Sequence, residues 1–294
     1  MKKILVPVDF SNHTDISCRY AIEFAKVYGA EIRMFHTYFD QIVIADTSFP
    51  DTLDMSTIYN EELMKEIFRH AEHNMAELEE KMNTLLKKEN ISNVTFSSTV
   101  TGGEIEHELT EICKGYHPDL VVMGTTGRGN NINVWGKVST YIIDNAKVPV
   151  LTVPEIRNFH GFQNIMLAAD LSEGNADTIH NLFKLFAPFD FRIKVAHFST
   201  KSKQSDEYVR MKALQLKFGK EEKSNLIDFE VIEVADDNQK AVDHFVTEHK
   251  IDLIVFQPHK HSLLHLFFTK KITKKNLFAA NVPLLAIPVS PEIS

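Results

Sequence analysis

The sequence predicts an α/β protein made of two tandem, doubly wound parallel sheets of five strands each. Three observations support this fold class: short apolar runs alternate with amphipathic helices, four segments recur in order, and the spacing within each half is nearly constant. Fully apolar strands separated by helices are typical of a parallel sheet with helices on both faces. At about 100–200 residues per domain, 294 residues also suit two domains.

The repeat is visible as four pairs of matching segments. These are 3–11 with 164–172, 32–36 with 193–197, 118–123 with 251–256, and 146–154 with 280–288. The first two pairs lie 161 positions apart, and the other two lie 133 and 134 positions apart. Four matches in one order indicate a duplicated domain. We therefore expect one domain at 1–155 and a second at 161–290.

The change in spacing locates an insertion. The fall from 161 to 133 places 28 additional residues in the first domain, between His36 and Asp119. We expect them within about residues 39–88, mostly in 39–59, ahead of a long helix. The step from 133 to 134 makes the first domain one residue shorter between Asp119 and Pro149.

The elements of the first domain follow from periodicity and from residues that end helices. Ile4–Val8 is an apolar run that ends at Asp9, and Ser11 is a suitable N-cap for a helix that Gly29 ends. The other predicted elements are strands at 32–36, 94–100, 120–123 and 150–153, and helices at 60–88, 105–112 and 138–145. Ligands of such sheets bind at the carboxyl ends of the strands, where the strand order reverses.

A glycine-rich loop follows the fourth strand, at residues 124–136. Glycines let the backbone approach a phosphate closely, and their N–H groups can form an anion-binding nest. Ser139-Thr140 can open the next helix, whose N-terminus favours negative charge, while Arg128 and Lys137 supply cations. Asp9, on the neighbouring strand, can accept hydrogen bonds from a ribose hydroxyl. A flexible surface loop is the alternative interpretation.

Two better-known phosphate motifs are excluded. A Walker A loop ending at Gly136-Lys137 would need glycine at Asn131 and a hydroxyl residue at Val138. A dinucleotide fingerprint would need a third glycine where Ile132 stands.

At these residues the sequence resembles the universal stress protein family, specifically its tandem two-domain members, over nearly the whole chain. In that family the first strand ends in Val-Asp, and the fourth strand ends in Gly-x2-Gly-x9-Gly-Ser/Thr. Members with the latter motif bind ATP or a related adenine nucleotide. The resemblance implies a Rossmann-like, adenine nucleotide alpha hydrolase-like fold. Because the family usually pairs its domains through the fifth strands, the resemblance also implies that the strands at 148–153 and 282–287 pair within the chain as a pseudo-dimer. It also implies a stress-response protein in which nucleotide binding regulates assembly or partner contacts.

Carried over to this chain, the motif matches only in part. Gly124 and Gly127 match, but Gly136 follows Gly127 after only eight residues, and Lys137 replaces the small hydroxyl residue. The resemblance implies a site for ATP or a related adenine nucleotide, with or without Mg, in the first domain. Its expected residues are Pro7, Val8, Asp9, His36, Thr37, Met123, Gly124, Gly127, Arg128, Gly129, Gly136, Lys137, Val138, Ser139 and Thr140.

The second domain departs further from the motif. Gln257 and Lys260 take the positions of Gly124 and Gly127, and Lys270-Lys271 replace the third glycine and its hydroxyl neighbour. Side chains there prevent close approach of the backbone to a phosphate. We expect a degenerate structural copy without a nucleotide.

The remaining expectations come from composition and from missing motifs. A net charge of −8 and short apolar runs disfavour nucleic-acid and membrane partners, while two cysteines suit the cytoplasm. No catalytic or metal motif is evident, so slow ATP hydrolysis is the most activity we expect. A homodimer and an unknown protein partner are also expected. The alternative function is a scaffold that binds no nucleotide and presents helix 60–88 to a partner, and the His/Lys-rich stretch 259–275 has no assigned role.

Overall fold

The protein is described by a computed structural model. The described residues are 1–38, 53–125, 136–155, 159–199, 204–234, 238–258 and 274–288. The first half contains β1 (Lys3–Pro7), α1 (Asn12–Tyr28), β2 (Glu31–Tyr38), α2 (Leu53–Lys88), β3 (Thr95–Gly102), α3 (Ile105–Tyr116), β4 (Leu120–Gly124), α4 (Lys137–Asn145) and β5 (Val150–Val153). The second half contains β6 (Asn164–Ala168), α5 (Gly174–Phe186), β7 (Arg192–Ser199), α6 (Gln204–Leu216), α7 (Gly219–Lys223), β8 (Ile227–Glu233), α8 (Asn238–Glu248), β9 (Leu253–Phe256), α9 (Lys274–Ala279) and β10 (Leu284–Ala286).

The strands form one sheet in the order β3-β2-β1-β4-β5-β10-β9-β6-β7-β8. Strands are parallel within each half, whereas β5 and β10 pair antiparallel, with Leu285 opposite Leu151. Both halves therefore have the same strand order, related by a pseudo-twofold between the fifth strands. This confirms the predicted fold class, including the pseudo-dimer within the chain.

The longest helix differs most between the halves. α2 has 36 residues, whereas its counterpart α6 has 13 and is followed by the five-residue α7. Much of the additional length of the first half is therefore helix. The part of the predicted insertion at 39–52 lies outside the described residues.

The buried apolar residues form a core on each face of the sheet. On the face that carries α1 and α5, one core runs continuously across both halves. Its centre is a cluster of six aromatic side chains, called here the aromatic cluster: Tyr20, Phe24, Phe159, Phe162, Phe186 and Phe189. Beside it, the Tyr28 hydroxyl donates to the Leu185 carbonyl oxygen at 2.7 Å. The two halves are thus joined by a shared core as well as by strand pairing.

Within the described ranges, no helix is both long enough and apolar enough to cross a membrane.

Candidate functional site

The strand order reverses between β1 and β4, so a crevice opens at their carboxyl ends. β1 lies between β2 and β4, which brings the residues after all three strands to one edge. The Val8 N–H donates to the Phe35 carbonyl oxygen at 2.8 Å, which continues the β1–β2 ladder up to Asp9. The chain then turns at Phe10, a non-glycine residue at φ 57°.

Asp9 organises the start of α1. Its Oδ1 atom accepts from the Ser11 N–H at 3.1 Å, from the Ser11 hydroxyl at 2.6 Å and from the Thr14 hydroxyl at 3.2 Å. Ser11 is the N-cap residue as predicted, but its side chain makes no cap hydrogen bond to the helix. Its hydroxyl is directed at Asp9, to which it donates. The carboxylate is thereby held at the rim of the crevice.

His36 lies next to Asp9, on the neighbouring strand. Its Nδ1–H donates to the Val8 carbonyl oxygen at 2.7 Å, and its ring lies 4.4 Å from the Phe10 ring, centroid to centroid. The second half repeats this contact, since His197 Nδ1 donates to the Ala169 carbonyl oxygen at 2.8 Å. A carbonyl acceptor fixes Nδ1 as the protonated nitrogen and orients the ring.

The N-terminus of α4 borders the crevice from the other side. Gly136 is its N-cap, and the Gly136 N–H donates to the Thr125 carbonyl oxygen at 3.1 Å. The Ser139 hydroxyl donates to the Gly124 carbonyl oxygen at 3.1 Å, and the Thr140 hydroxyl donates to that of Gly136 at 3.1 Å. Both hydroxyl hydrogens are thus directed at the backbone.

Lys137, the first residue of α4, points to its neighbouring helix. Its side chain is 86% exposed, and Nζ lies 3.5 Å from Oε1 of Glu106 on α3. Because the lysine end of this ion pair is solvent-exposed, Nζ can move to another partner.

The structure therefore brings most of the expected site residues to one edge of the first half. Those that lie on β1, β2, β4, α4 or directly beside them are Pro7, Val8, Asp9, His36, Thr37, Met123, Gly124, Gly136, Lys137, Val138, Ser139 and Thr140. Gly127, Arg128 and Gly129 lie outside the described residues, as does most of the stretch 259–275.

The corresponding crevice of the second half is filled by a side chain. Gln257, which takes the position of Gly124, is 6% exposed. Its Oε1 accepts from the Asn175 side-chain amide at 3.0 Å, and its Nε2 donates to the Gly174 carbonyl oxygen at 3.2 Å. Asn175 also donates to Oδ1 of Asp170 at 2.9 Å, so the glutamine is tied to the counterpart of Asp9.

The first half has the large and the small residue at exchanged positions: His13 corresponds to Gly174, and Gly124 corresponds to Gln257. A Cβ atom at Gly174 would lie 3.0 Å from Gln257 Nε2, so the position of the glutamine favours glycine there. The matching residue in the first half is His13, whose Nε2 lies 3.4 Å from Glu155 Oε2. Sequence comparison identified the exchange of Gly124 for Gln257, but it did not reveal the accompanying exchange at Gly174.

A second buried polar group of the second half was not predicted from the sequence. Glu207 of α6 accepts a hydrogen bond from the Ser199 hydroxyl, and its Oε2 lies 3.5 Å from His197 Nε2. All three side chains are buried. The group anchors α6 over the end of β7.

Cys18 is buried and Cys113 is partly buried. Burial raises the pKa of the Cys18 thiol to about 12 and that of Cys113 to about 11. Neither is in a disulfide. No cluster of three or more metal-ligating side chains is found among the described residues.

Comparison with known proteins points to one family. A sequence model of the universal stress protein family matches residues 1–154. A curated universal stress protein of Methanocaldococcus jannaschii is 28% identical over 153 residues, which are 52% of this chain and 81% of that protein.

Solved structures match the whole chain. A universal stress protein from Archaeoglobus fulgidus superposes with a TM-score of 0.67 at 16% identity, covering 99% of this chain and 97% of that one. A putative universal stress protein from Pseudomonas aeruginosa superposes with a TM-score of 0.58 at 10% identity, covering 98% and 93%. At these identities the likeness extends to the fold alone.

Proposed function

The chain is a tandem member of the universal stress protein family, and from this premise we propose that its first domain binds ATP or a related adenine nucleotide. The crevice between β1 and β4 is the proposed site, with Asp9 and His36 toward the nucleoside and the loop 124–136 with the start of α4 toward the phosphates. Binding then regulates the assembly or partner contacts of a cytoplasmic stress-response protein. The second domain holds no nucleotide.

One observation carries the proposal: a buried glutamine occupies the second crevice at the position where the first crevice has a glycine. In the second half Gln257 occupies the strand end and is held there by Asn175 and Gly174. In the first half Gly124 supplies no side chain at the same register, so its backbone is open to close approach. A crevice at a reversal of strand order is the usual ligand position in such sheets.

Charge and hydrogen-bonding capacity also favour this half. The first turn of α4 presents backbone N–H groups at a helix N-terminus without a side-chain cap, which favours an anion. Lys137 is 86% exposed and can turn from Glu106 to a phosphate. Asp9 is held at the rim by Ser11 and Thr14, so a ribose hydroxyl meets an oriented carboxylate.

The proposal includes the domain limits. We place the first domain at 1–155 and the second at 161–290, with the shared aromatic cluster between them. No catalytic base is assigned, and the site is proposed for binding.

The test transplants the filled crevice into the first half. The double variant His13→Gly/Gly124→Gln carries the residues that the second half has at these two positions. The introduced glutamine therefore has a glycine beside it, as Gln257 has, while Thr14 stands in the place of Asn175. Isothermal titration with Mg-ATP is the measurement, and cAMP is titrated in parallel because one universal stress protein has been solved in complex with cAMP. We expect saturable Mg-ATP binding by the natural chain and at least about tenfold weaker binding by the variant.

The matched control is Gly115→Gln. Gly115 lies on α3 with open space around it, so the same substitution there leaves the crevice untouched. Its affinity should equal that of the natural chain. Absence of binding by the natural chain, or equal affinity in the double variant, would overturn the proposal and favour the scaffold alternative.

A further inference from the structure

The pairing of β5 with β10 leaves two edges in the described sheet, β3 and β8. These strands occupy matching positions in the two halves. Ile32 lies opposite Phe96 on β3, and its repeat partner Ile193 lies opposite Ile227 on β8. The same register matches Thr99 of β3 with Glu230 of β8. An edge strand presents unpaired backbone groups, and proteins commonly protect it with charge, proline or a bulge.

β8 is protected in this way. It carries three exposed acidic residues along its length: Asp228, Glu230 and Glu233. A second β8 beside it would bring these carboxylates close to each other, and like charges on facing strands are destabilising.

β3 has none of these protections. Its sequence, TFSSTVTG, holds no charged residue and no proline, and its eight residues pair with β2 without a bulge. The Gly103 N–H donates to the Tyr38 carbonyl oxygen, so odd-numbered residues are hydrogen-bonded to β2. The N–H and C=O groups of Phe96, Ser98, Val100 and Gly102 therefore point outward. Within the described ranges no backbone group pairs with them, and the Gly102 carbonyl oxygen accepts only a long bond, 3.4 Å, from the adjacent Thr101 hydroxyl.

We propose that β3 is a dimerisation edge, at which β3 of a second copy of this chain pairs antiparallel about a twofold axis at Thr99. In this register Phe96 faces Gly102 and Ser98 faces Val100, so every outward residue of both strands gains a partner. Each such pair exchanges two hydrogen bonds. In an isologous contact the same strand faces itself, and an uncharged strand does so without charge repulsion. The aromatic side chain of Phe96 also covers Gly102 of the other copy. The two ten-stranded sheets become one.

The decisive variant is Thr99→Glu. The matched residue of β8 is Glu230, so a glutamate at this register is already tolerated by the fold. At the twofold axis the two introduced carboxylates would face each other, on residues whose Cα atoms lie about 4.5 Å apart. We expect sedimentation equilibrium to show a dimer for the natural chain. For Thr99→Glu, we expect a dissociation constant at least about tenfold higher.

Two further samples test whether Thr99→Glu weakens the dimer through charge repulsion at the axis or through a general loss of structure. Thr247→Glu places the same substitution on the exposed surface of α8 and should leave the dimer intact. An equimolar mixture of Thr99→Glu and Thr99→Lys should restore dimers, because opposite charges then meet at the axis. The proposal is overturned if the natural chain is a monomer over the full dilution series. It is equally overturned if Thr99→Glu dimerises as well as the natural chain, or if the mixture remains monomeric.

Discussion

The aromatic cluster offers the sharpest test of how the two halves hold together. Phe162 lies at its centre and is 2% exposed. Its ring centroid lies between 5.0 and 6.1 Å from those of five other aromatic residues, which come from both halves and from the segment between them. The perturbation is Phe162→Ala.

The expected loss is large because the site cannot collapse easily. A buried Phe→Ala substitution typically costs about 3–5 kcal/mol, through lost transfer free energy and the cavity left behind. Edge-to-face contacts add to burial, and here the surrounding rings come from separate elements. We therefore expect the upper part of that range, about 4–5 kcal/mol of unfolding free energy. Phe162→Leu, which refills part of the volume, should lose about 2 kcal/mol.

Urea unfolding followed by far-UV circular dichroism measures these losses. Leu216→Ala serves as the control, because Leu216 is 74% exposed on α6 and its removal should change stability by less than about 0.5 kcal/mol. A loss below about 1 kcal/mol for Phe162→Ala would refute the shared core as a main source of stability.

Two further predictions concern buried groups. Glu207→Ala removes a buried acceptor of the Ser199 hydroxyl and the carboxylate beside His197 Nε2, and it should cost about 3 kcal/mol of unfolding free energy. Glu207→Gln, which keeps an acceptor for Ser199, should cost less, and equal losses in urea unfolding would contradict the hydrogen-bonded group. Because burial raises the pKa of Cys18 to about 12 and of Cys113 to about 11, the reactive thiolates are scarce below these values and become available only as pH rises toward them. Ellman's reagent at pH 8 should therefore leave the buried Cys18 unreacted in the native protein and react only slowly with the partly buried Cys113, whereas both thiols should react in guanidinium. Rapid reaction of both thiols in the native protein would be the contrary result.

The strand positions were predictable because each half repeats the pattern of the other. Apolar runs such as Ile4–Val8 indicate buried parallel strands. The nearly regular distances between matching segments then show which strand of one half corresponds to which strand of the other. The ends of elements were less accurate. α2 begins at Leu53 instead of near residue 60, because the apolar stripe that identifies a helix does not mark where it starts.

The contacts that distinguish the two crevices were not predictable from local patterns. The sequence shows that Gln257 replaces a glycine, but its burial depends on Asn175 and Gly174, which belong to another element. The same holds for Phe162, which precedes β6 and belongs to no periodic pattern. Local patterns carry no information about side chains that meet only after the sheet has formed.

The most direct test of the central claim is the number of nucleotides bound per chain. Native mass spectrometry of the nucleotide-stripped protein with excess Mg-ATP measures this number, and the His13→Gly/Gly124→Gln variant shows which half is occupied. We predict one nucleotide per natural chain and none per variant chain. Two nucleotides per chain would contradict the filled second crevice, and none would contradict the site between β1 and β4.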